Sequence, residues 1–321
     1  MSFLDHPKIR KIRDRLDYIG DEERLKAFLA VSRAPFLSLP VLLVALGTAA
    51  AAWECGHVYW MRAFWALVGL LLLHIGVNAI NEASDAKRGI DGPKPESPFS
   101  GGSGTVPSGR LTIKEAYGFG MVATAAGVLI GLGFLFVVGW RMVPLILMAV
   151  VLVAGYTDLF ARIGLGEVAA GLGLGLLPVL GSALVQAGSY VAAAWAAGMV
   201  SFLLTFDLLL LNEFPDQDSD RKGGRKNLVL MLGPGKAARV WFWTALAVPV
   251  FLLHFIALGL LPWPCFAAVF TLILLKDAFE WTEIAGDRFP TPPRSVLKDN
   301  ILWNMATHGL VAAGLVVAVW L

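Results

Sequence analysis

Leu70-Leu71-Leu72-Leu73-His74-Ile75-Gly76-Val77-Asn78-Ala79-Ile80-Asn81-Glu82-Ala83-Ser84-Asp85 is the stretch that decides the fold. It closes an apolar run long enough to cross a hydrocarbon layer as helix, which takes about 20 residues. Its polar residues His74, Asn78, Asn81 and Asp85 recur at three- and four-residue steps, so on a helix they form one stripe that faces the inside of a bundle. A carboxylate at the mouth of a membrane span is costly and therefore has a partner or a job. The pentapeptide Asn81-Glu82-Ala83-Ser84-Asp85 has a second copy, Asn212-Glu213-Phe214-Pro215-Asp216, at the end of another apolar run. The first copy is followed by Asp91 beyond Gly89, a residue type that ends helices, and the second by Asp218, Asp220, Arg221 and Lys222.

Composition agrees with a membrane chain: 57% of the 321 residues are hydrophobic, 16% are charged and the mean hydropathy is +0.69. A soluble core could not absorb so much apolar surface. Apolar runs at 34–53, 61–81, 115–138, 143–160, 165–187, 190–212, 238–259, 262–281 and 299–321 predict nine spans. The expected fold is an all-α, polytopic bundle of nine transmembrane helices with two Asp-rich cytoplasmic loops, forming one domain over 1–321. Residues 1–33 are expected to be a cytoplasmic, amphipathic segment without a cleavable leader. With the N-terminus inside, every Lys and Arg except Arg62 and Arg141 falls on the cytoplasmic side, as the positive-inside rule requires. The chain is thus read as integral to the inner membrane of a bacterial or archaeal cell. Cys55 and Cys265 are too few and too distant for a disulfide framework or metal site. Nothing suggests nucleic acid, and nothing indicates an oligomeric state.

Both acidic clusters fall on one face of the membrane. Asn212, Asp216 and Asp220 repeat the four-residue step, with Pro215 expected to kink or restart the helix. Arg221, Lys222, Arg225 and Lys226 follow, and acid followed by base is the order expected where Mg²⁺ bridges carboxylates to phosphate oxygens. Between the clusters lies a Gly-, Ser- and Pro-rich loop, Pro93 to Arg110, of the kind that forms lids and anion-binding nests.

These motifs resemble those of the UbiA superfamily of intramembrane prenyltransferases, nine-helix proteins with Asp-rich motifs after helices two and six. Asn81-x-x-x-Asp85-x-x-x-x-x-Asp91 is similar to the first motif and Asn212-x-x-x-Asp216-x-x-x-Asp220 to the second. Ser100-Gly101-Gly102-Ser103-Gly104, Tyr156-Thr157, Gly164-Leu165-Gly166-Glu167 and the second pentapeptide look like the branch that prenylates 1,4-dihydroxy-2-naphthoate in menaquinone synthesis. The resemblance runs from about residue 30 to 235. It implies Mg²⁺ held by Asp85, Asp91, Asp216 and Asp220, a polyprenyl diphosphate donor, an aromatic acceptor and a lipid bilayer around the tail. Asn81 and Asn212 would orient ligands, and Lys222, Arg225 and Lys226 would grip the diphosphate, Lys222 being the first candidate because it follows Asp220 closely. Tyr156 would face the acceptor or an allylic cation, Glu167 would take the acceptor's proton or cap a helix, and Asn78 would act on the deeper stripe or bridge helices. Two departures stand out: Asn227 occupies a position that is usually Thr, and Glu82 one that is often Asp. Other readings are a different acceptor such as 4-hydroxybenzoate, or a transporter with intramembrane carboxylates. A phospholipid alcohol-phosphotransferase is disfavoured, because its Asp-Gly and Ala-Arg pairing is missing.

Overall fold

A computed structural model describes residues 21–90, 101–285 and 290–321, and every regular element among them is helical, without a strand. The first helix among the described residues is α1, Asp21–Val31, followed by α2, Ser38–Cys55, and α3, Trp60–Arg88. A capping box at Thr112 and Glu115 opens α4, Ile113–Gly133, each side chain accepting the other's backbone N–H at 3.1 and 2.8 Å. The chain turns back around Gly139 (φ 66) into α5, Val143–Gly155, which continues as a π-helical turn over Tyr156–Phe160. Next come α6, Gly166–Gly171, a second π-helical turn at Leu172–Leu176, and α7, Leu177–Ala187. The central helix α8, Ala192–Asn212, leads to two short helices, α9 at Gln217–Gly223 and α10 at Leu228–Leu232. The chain finishes with α11, Pro234–Ala257, a 3₁₀ segment Trp263–Leu275 running into α12, Lys276–Ile284, and α13, Arg294–Val319.

Glycine sets how closely these helices approach. On α3 and α4, Gly76 and Gly120 face each other so tightly that a Cβ on Gly76 would lie 2.2 Å from the Thr124 hydroxyl, and one on Gly120 2.9 Å from the Gly76 carbonyl. This is small-residue packing, which substitutes for a hydrophobic drive that lipid cannot supply. The buried residues of α8 surround it on all sides, from Ala193 to Leu211, so it is the post around which the bundle is built. The outward faces of the peripheral helices carry Phe64, Leu129, Phe136, Leu147 and Val250, all exposed, as expected of surfaces that meet acyl chains.

The number of spans differs from the expectation. Seven helices among the described residues are long and apolar enough to cross a membrane, not nine. The difference has two local causes. The expected spans 115–138 and 143–160 belong to one helical stretch, Ile113–Ile163, of 51 residues, although Ile146 of α5 lies 3.5 Å from where a Gly131 Cβ would sit on α4, so the stretch doubles back on itself. The expected span 262–281 is wound as 3₁₀ helix before becoming α12. The basic N-terminal residues and Asp91 lie outside the described residues.

Candidate active site

The polar stripe of α3 forms as its spacing demands. His74, Asn78, Asn81 and Asp85 all line one cavity, and Gly89 ends the helix in a left-handed conformation, φ 69. Asp85 is 1% exposed. Asn81 ties three elements together: its amide donates to Asp85 Oδ2 at 3.0 Å, while its carbonyl accepts from Thr157 Oγ1 at 3.0 Å and from Arg225 Nη2 at 2.8 Å. Asn78 donates to the Ser32 carbonyl at 3.2 Å.

The second cluster comes to the same place from the other side. After Asn212 the helix breaks at Glu213-Phe214-Pro215 and restarts with Asp216 as the residue before α9, because proline cannot supply the N–H an unbroken helix needs. Asn212, Asp216 and Asp220 nonetheless all reach the cavity. Arg225 lies between the two motifs, paired with Asp85 Oδ2 and, at 3.4 Å, with Asp220 Oδ1. Asn227, the departure from the family pattern, has two tasks. Its Nδ2 donates to Asp220 Oδ2 at 2.9 Å, and its Oδ1 caps α10 by accepting from Leu230 N at 2.9 Å. Arg225 and Lys226 line the cavity, whereas Lys222 is exposed and does not.

Glu82 has a role that its place off the stripe concealed. Its buried carboxylate accepts from Ser103 N at 2.8 Å, Ser103 Oγ at 2.8 Å, Thr105 N at 2.9 Å and Val106 N at 3.1 Å. The loop so held presents Gly101, whose N–H donates to Asp216 Oδ2 at 2.8 Å and whose carbonyl accepts from Arg33. One carboxylate of the first motif thereby orders a loop that touches an aspartate of the second.

The cavity beneath this polar lip encloses about 610 Å³ and runs down α3 from Asp85 to Trp65, between α4, α5, α7 and α8. Twenty residues of helix rise about 30 Å, roughly the thickness of a hydrocarbon core. Tyr156 faces it from the π-helical turn, where the extra residue per turn re-aims side chains. Glu167 is buried and does not line the cavity; its Oε1 accepts from Leu228 N at 2.6 Å, so it anchors the start of α10. Burial, with the Glu167 carboxylate close by, raises Glu213 well above the ordinary carboxylate range.

The acidic part of the lining suits a hard divalent cation: Asp85, Asp216 and Asp220 bring carboxylate oxygens and Asn81 and Asn212 amide oxygens to the cavity, with Arg225 and Lys226 beside them. The buried Asn212 Oδ1 finds no donor among the described residues, and the Arg225 guanidinium already marks a cationic position between Asp85 and Asp220. As arranged, no three acidic side chains among the described residues converge on one point.

The UbiA prenyltransferase family matches residues 39–286. A 1,4-dihydroxy-2-naphthoate octaprenyltransferase of Escherichia coli is 30% identical over 230 residues, 67% of this chain and 71% of that one. The enzyme of the same name from Mycobacterium tuberculosis is 29% identical over 282 residues, 84% of this chain and 91% of its own. In fold, a UbiA homologue from Archaeoglobus fulgidus bound to DMAPP and Mg²⁺ superposes with a TM-score of 0.62 at 14% identity, covering 92% of this chain and 99% of that one. The apo UbiA homologue from Aeropyrum pernix K1 gives 0.65 at 17%, covering 88% and 98%. The breadth of the family match, over the helices that carry both acidic motifs, makes this chain a member of the UbiA prenyltransferase family.

Proposed function

We propose that the protein transfers a polyprenyl group from an allylic diphosphate to 1,4-dihydroxy-2-naphthoate, releasing diphosphate and carbon dioxide, as a step in menaquinone synthesis. The observation that carries this reading is the junction of a charged lip, Asp85, Asp216, Asp220 and Arg225, with an apolar cavity that runs through the bundle. A phosphorylated head and an isoprenoid tail need these two environments side by side. The names of the relatives favour the naphthoate as acceptor.

Asp85, Asp216 and Asp220, with Asp91, are the residues that would hold Mg²⁺, and Mg²⁺ bound with the diphosphate neutralises its charge and stabilises it as a leaving group. Arg225 and Lys226 supply the remaining positive charge to the phosphate oxygens. Asn81 keeps Asp85 and Arg225 in register, and Asn227 does the same for Asp220. In the reaction the allylic C–O bond breaks and its electron pair leaves with diphosphate. The ring carbon bearing the carboxylate then forms the new C–C bond, and loss of carbon dioxide returns an electron pair to the ring, restoring aromaticity. Tyr156, on the cavity wall, offers its π face to the allylic cation. The chain crosses the inner membrane nine times, with the hairpin at Gly139 and the 3₁₀ segment supplying the two crossings that length alone does not count. Its N-terminus is cytoplasmic.

The test is to incubate membranes containing the protein with Mg²⁺, labelled polyprenyl diphosphate and a panel of aromatic acceptors, and to weigh the product. A demethylmenaquinol lacking the carboxyl mass is expected. Prenylation of 4-hydroxybenzoate alone would reject the acceptor, and turnover that survives in Asp85→Asn, Asp216→Asn and Asp220→Asn, or in a chelator, would reject the metal site.

A further inference from the structure

The polar stripe of α3 has one member that the protein leaves without a partner. Asp85 is engaged by Asn81 and Arg225, Asn81 also by Thr157, and Asn78 by the Ser32 carbonyl. His74 is not. Its side chain lines the cavity at 5% exposure, and its Nδ1 is shielded and finds no hydrogen-bond partner among the described residues. Deeper than His74, the residues of α3 that line the cavity are Leu73, Leu70, Gly69, Ala66 and Trp65, so the stripe ends at a histidine set above an apolar floor. A polar side chain in such surroundings costs free energy for as long as its bonding capacity goes unused. A group that arrives with substrate can supply the missing partner.

The depth of His74 indicates which group that is. It lies eleven residues from Asp85 along α3, a rise of about 16 Å. A Mg²⁺ bridge, a diphosphate, the forming C–C bond and the width of one ring, laid end to end, span roughly 15 Å. An acceptor whose C2 meets the allylic carbon therefore brings the far half of its hydroxylated ring to the level of His74. On 1,4-dihydroxy-2-naphthoate that half carries the 4-hydroxyl. The 1-hydroxyl, next to C2, feeds electrons to the reacting carbon; the 4-hydroxyl is meta to it and contributes little there, so its use lies in recognition. With Nδ1 shielded, Nε2 is the nitrogen left to meet a ligand, and a hydroxyl pairs with it in either tautomer of the neutral ring, because it both donates and accepts.

We propose that His74 reads the 4-hydroxyl of the acceptor through Nε2 and so selects a 1,4-dihydroxy ring over a ring with a single hydroxyl. The inference rests on the naphthoate reading above and adds to it a residue that determines acceptor specificity.

The test changes residue and substrate separately. 1,4-Dihydroxy-2-naphthoate and 1-hydroxy-2-naphthoate, which lacks only the 4-hydroxyl, are compared as acceptors for wild type, His74→Leu, His74→Asn and His74→Gln, the second compound being scored also as a competitor of the first. Wild type is expected to favour the dihydroxy acceptor by roughly tenfold or more. In His74→Leu that preference should shrink to within about twofold, through loss on the dihydroxy acceptor, while KM for the prenyl donor holds. His74→Gln, whose amide reaches the place of Nε2, should keep most of the preference; His74→Asn, which reaches only the place of Nδ1, should lose it as Leu does. A wild type without the preference, a preference unchanged in His74→Leu, equal losses on both acceptors, or rescue by Asn in place of Gln would overturn the assignment and leave the naphthoate reading intact. Wild-type protein that prenylates neither naphthoate would remove that reading and this inference with it.

Discussion

Glu82 and Asn227 are the residues whose neighbours most change their meaning. Replacing Glu82 by Gln keeps the shape but turns an amide NH₂ toward backbone N–H donors, so at least one charge-assisted hydrogen bond is lost, a cost of about 2 kcal/mol. Limited proteolysis should then cut faster within 101–110, and turnover should fall with it, while Glu82→Asp should lie between. Asn227→Asp keeps the oxygen that caps α10 but sets a like charge against Asp220 where a donor stood. We expect it to be more damaging to turnover than Asn227→Ser, and to shift the Mg²⁺ concentration needed for half-maximal rate more. The stripe of Asn78, Asn81 and Asp85 was legible because its partners are helical neighbours at fixed steps. Glu82 was not, since its partners lie some twenty residues on, in a loop with no periodicity. Proximity in sequence favoured Lys222 over Arg225 for the same reason: the turn at Gly223-Gly224 decides which base faces inward, and φ 73 at Gly224 is a feature of the fold.

Among elements, the α3–α4 pair makes the sharpest test. A methyl group on Gly76 would lie 2.2 Å from the Thr124 hydroxyl, and forcing the helices apart costs about 1–3 kcal/mol. Gly76→Ala should therefore lower the thermal midpoint in detergent by several degrees, whereas Gly118→Ala, where an added Cβ meets nothing within 4 Å, should not. Long apolar runs identified most helices to within a few residues. The breaks at Gly164, Gly188 and Pro215 coincide with residue types known to end or restart helices. The π-helical turns at Tyr156–Phe160 and Leu172–Leu176, and the 3₁₀ winding of Trp263–Leu275, have no such signal. They express packing against neighbours, as where Gly175 brings the backbone so close to α8 that a Cβ would lie 2.6 Å from the Ser201 carbonyl.

For the whole molecule, the two basic residues expected on the outer face both lie at the end away from Asp85. Arg62 donates to the Val185 carbonyl at 3.0 Å, and the Arg141 carbonyl accepts from Tyr190 at 2.9 Å. If the proposed nine crossings from a cytoplasmic N-terminus hold, a reporter fused after Leu321 reads as external; a cytoplasmic reading would mean an even number of crossings. The division into one charged end and one apolar interior was readable from the sequence, as was a site shared by the two motifs, but Arg225 as the residue that links Asp85 to Asp220 was not. That residue gives the resting protein its own counter-ion. Removing one member of a buried charged group leaves the others uncompensated, at a cost of about 3–5 kcal/mol, so the arginine proposed above to meet phosphate also neutralises the Asp85 and Asp220 carboxylates that face it. An incoming diphosphate with its metal would then find no bare negative well to fall into; it would trade places with a cation already in residence, and its affinity would be the difference between two pairings.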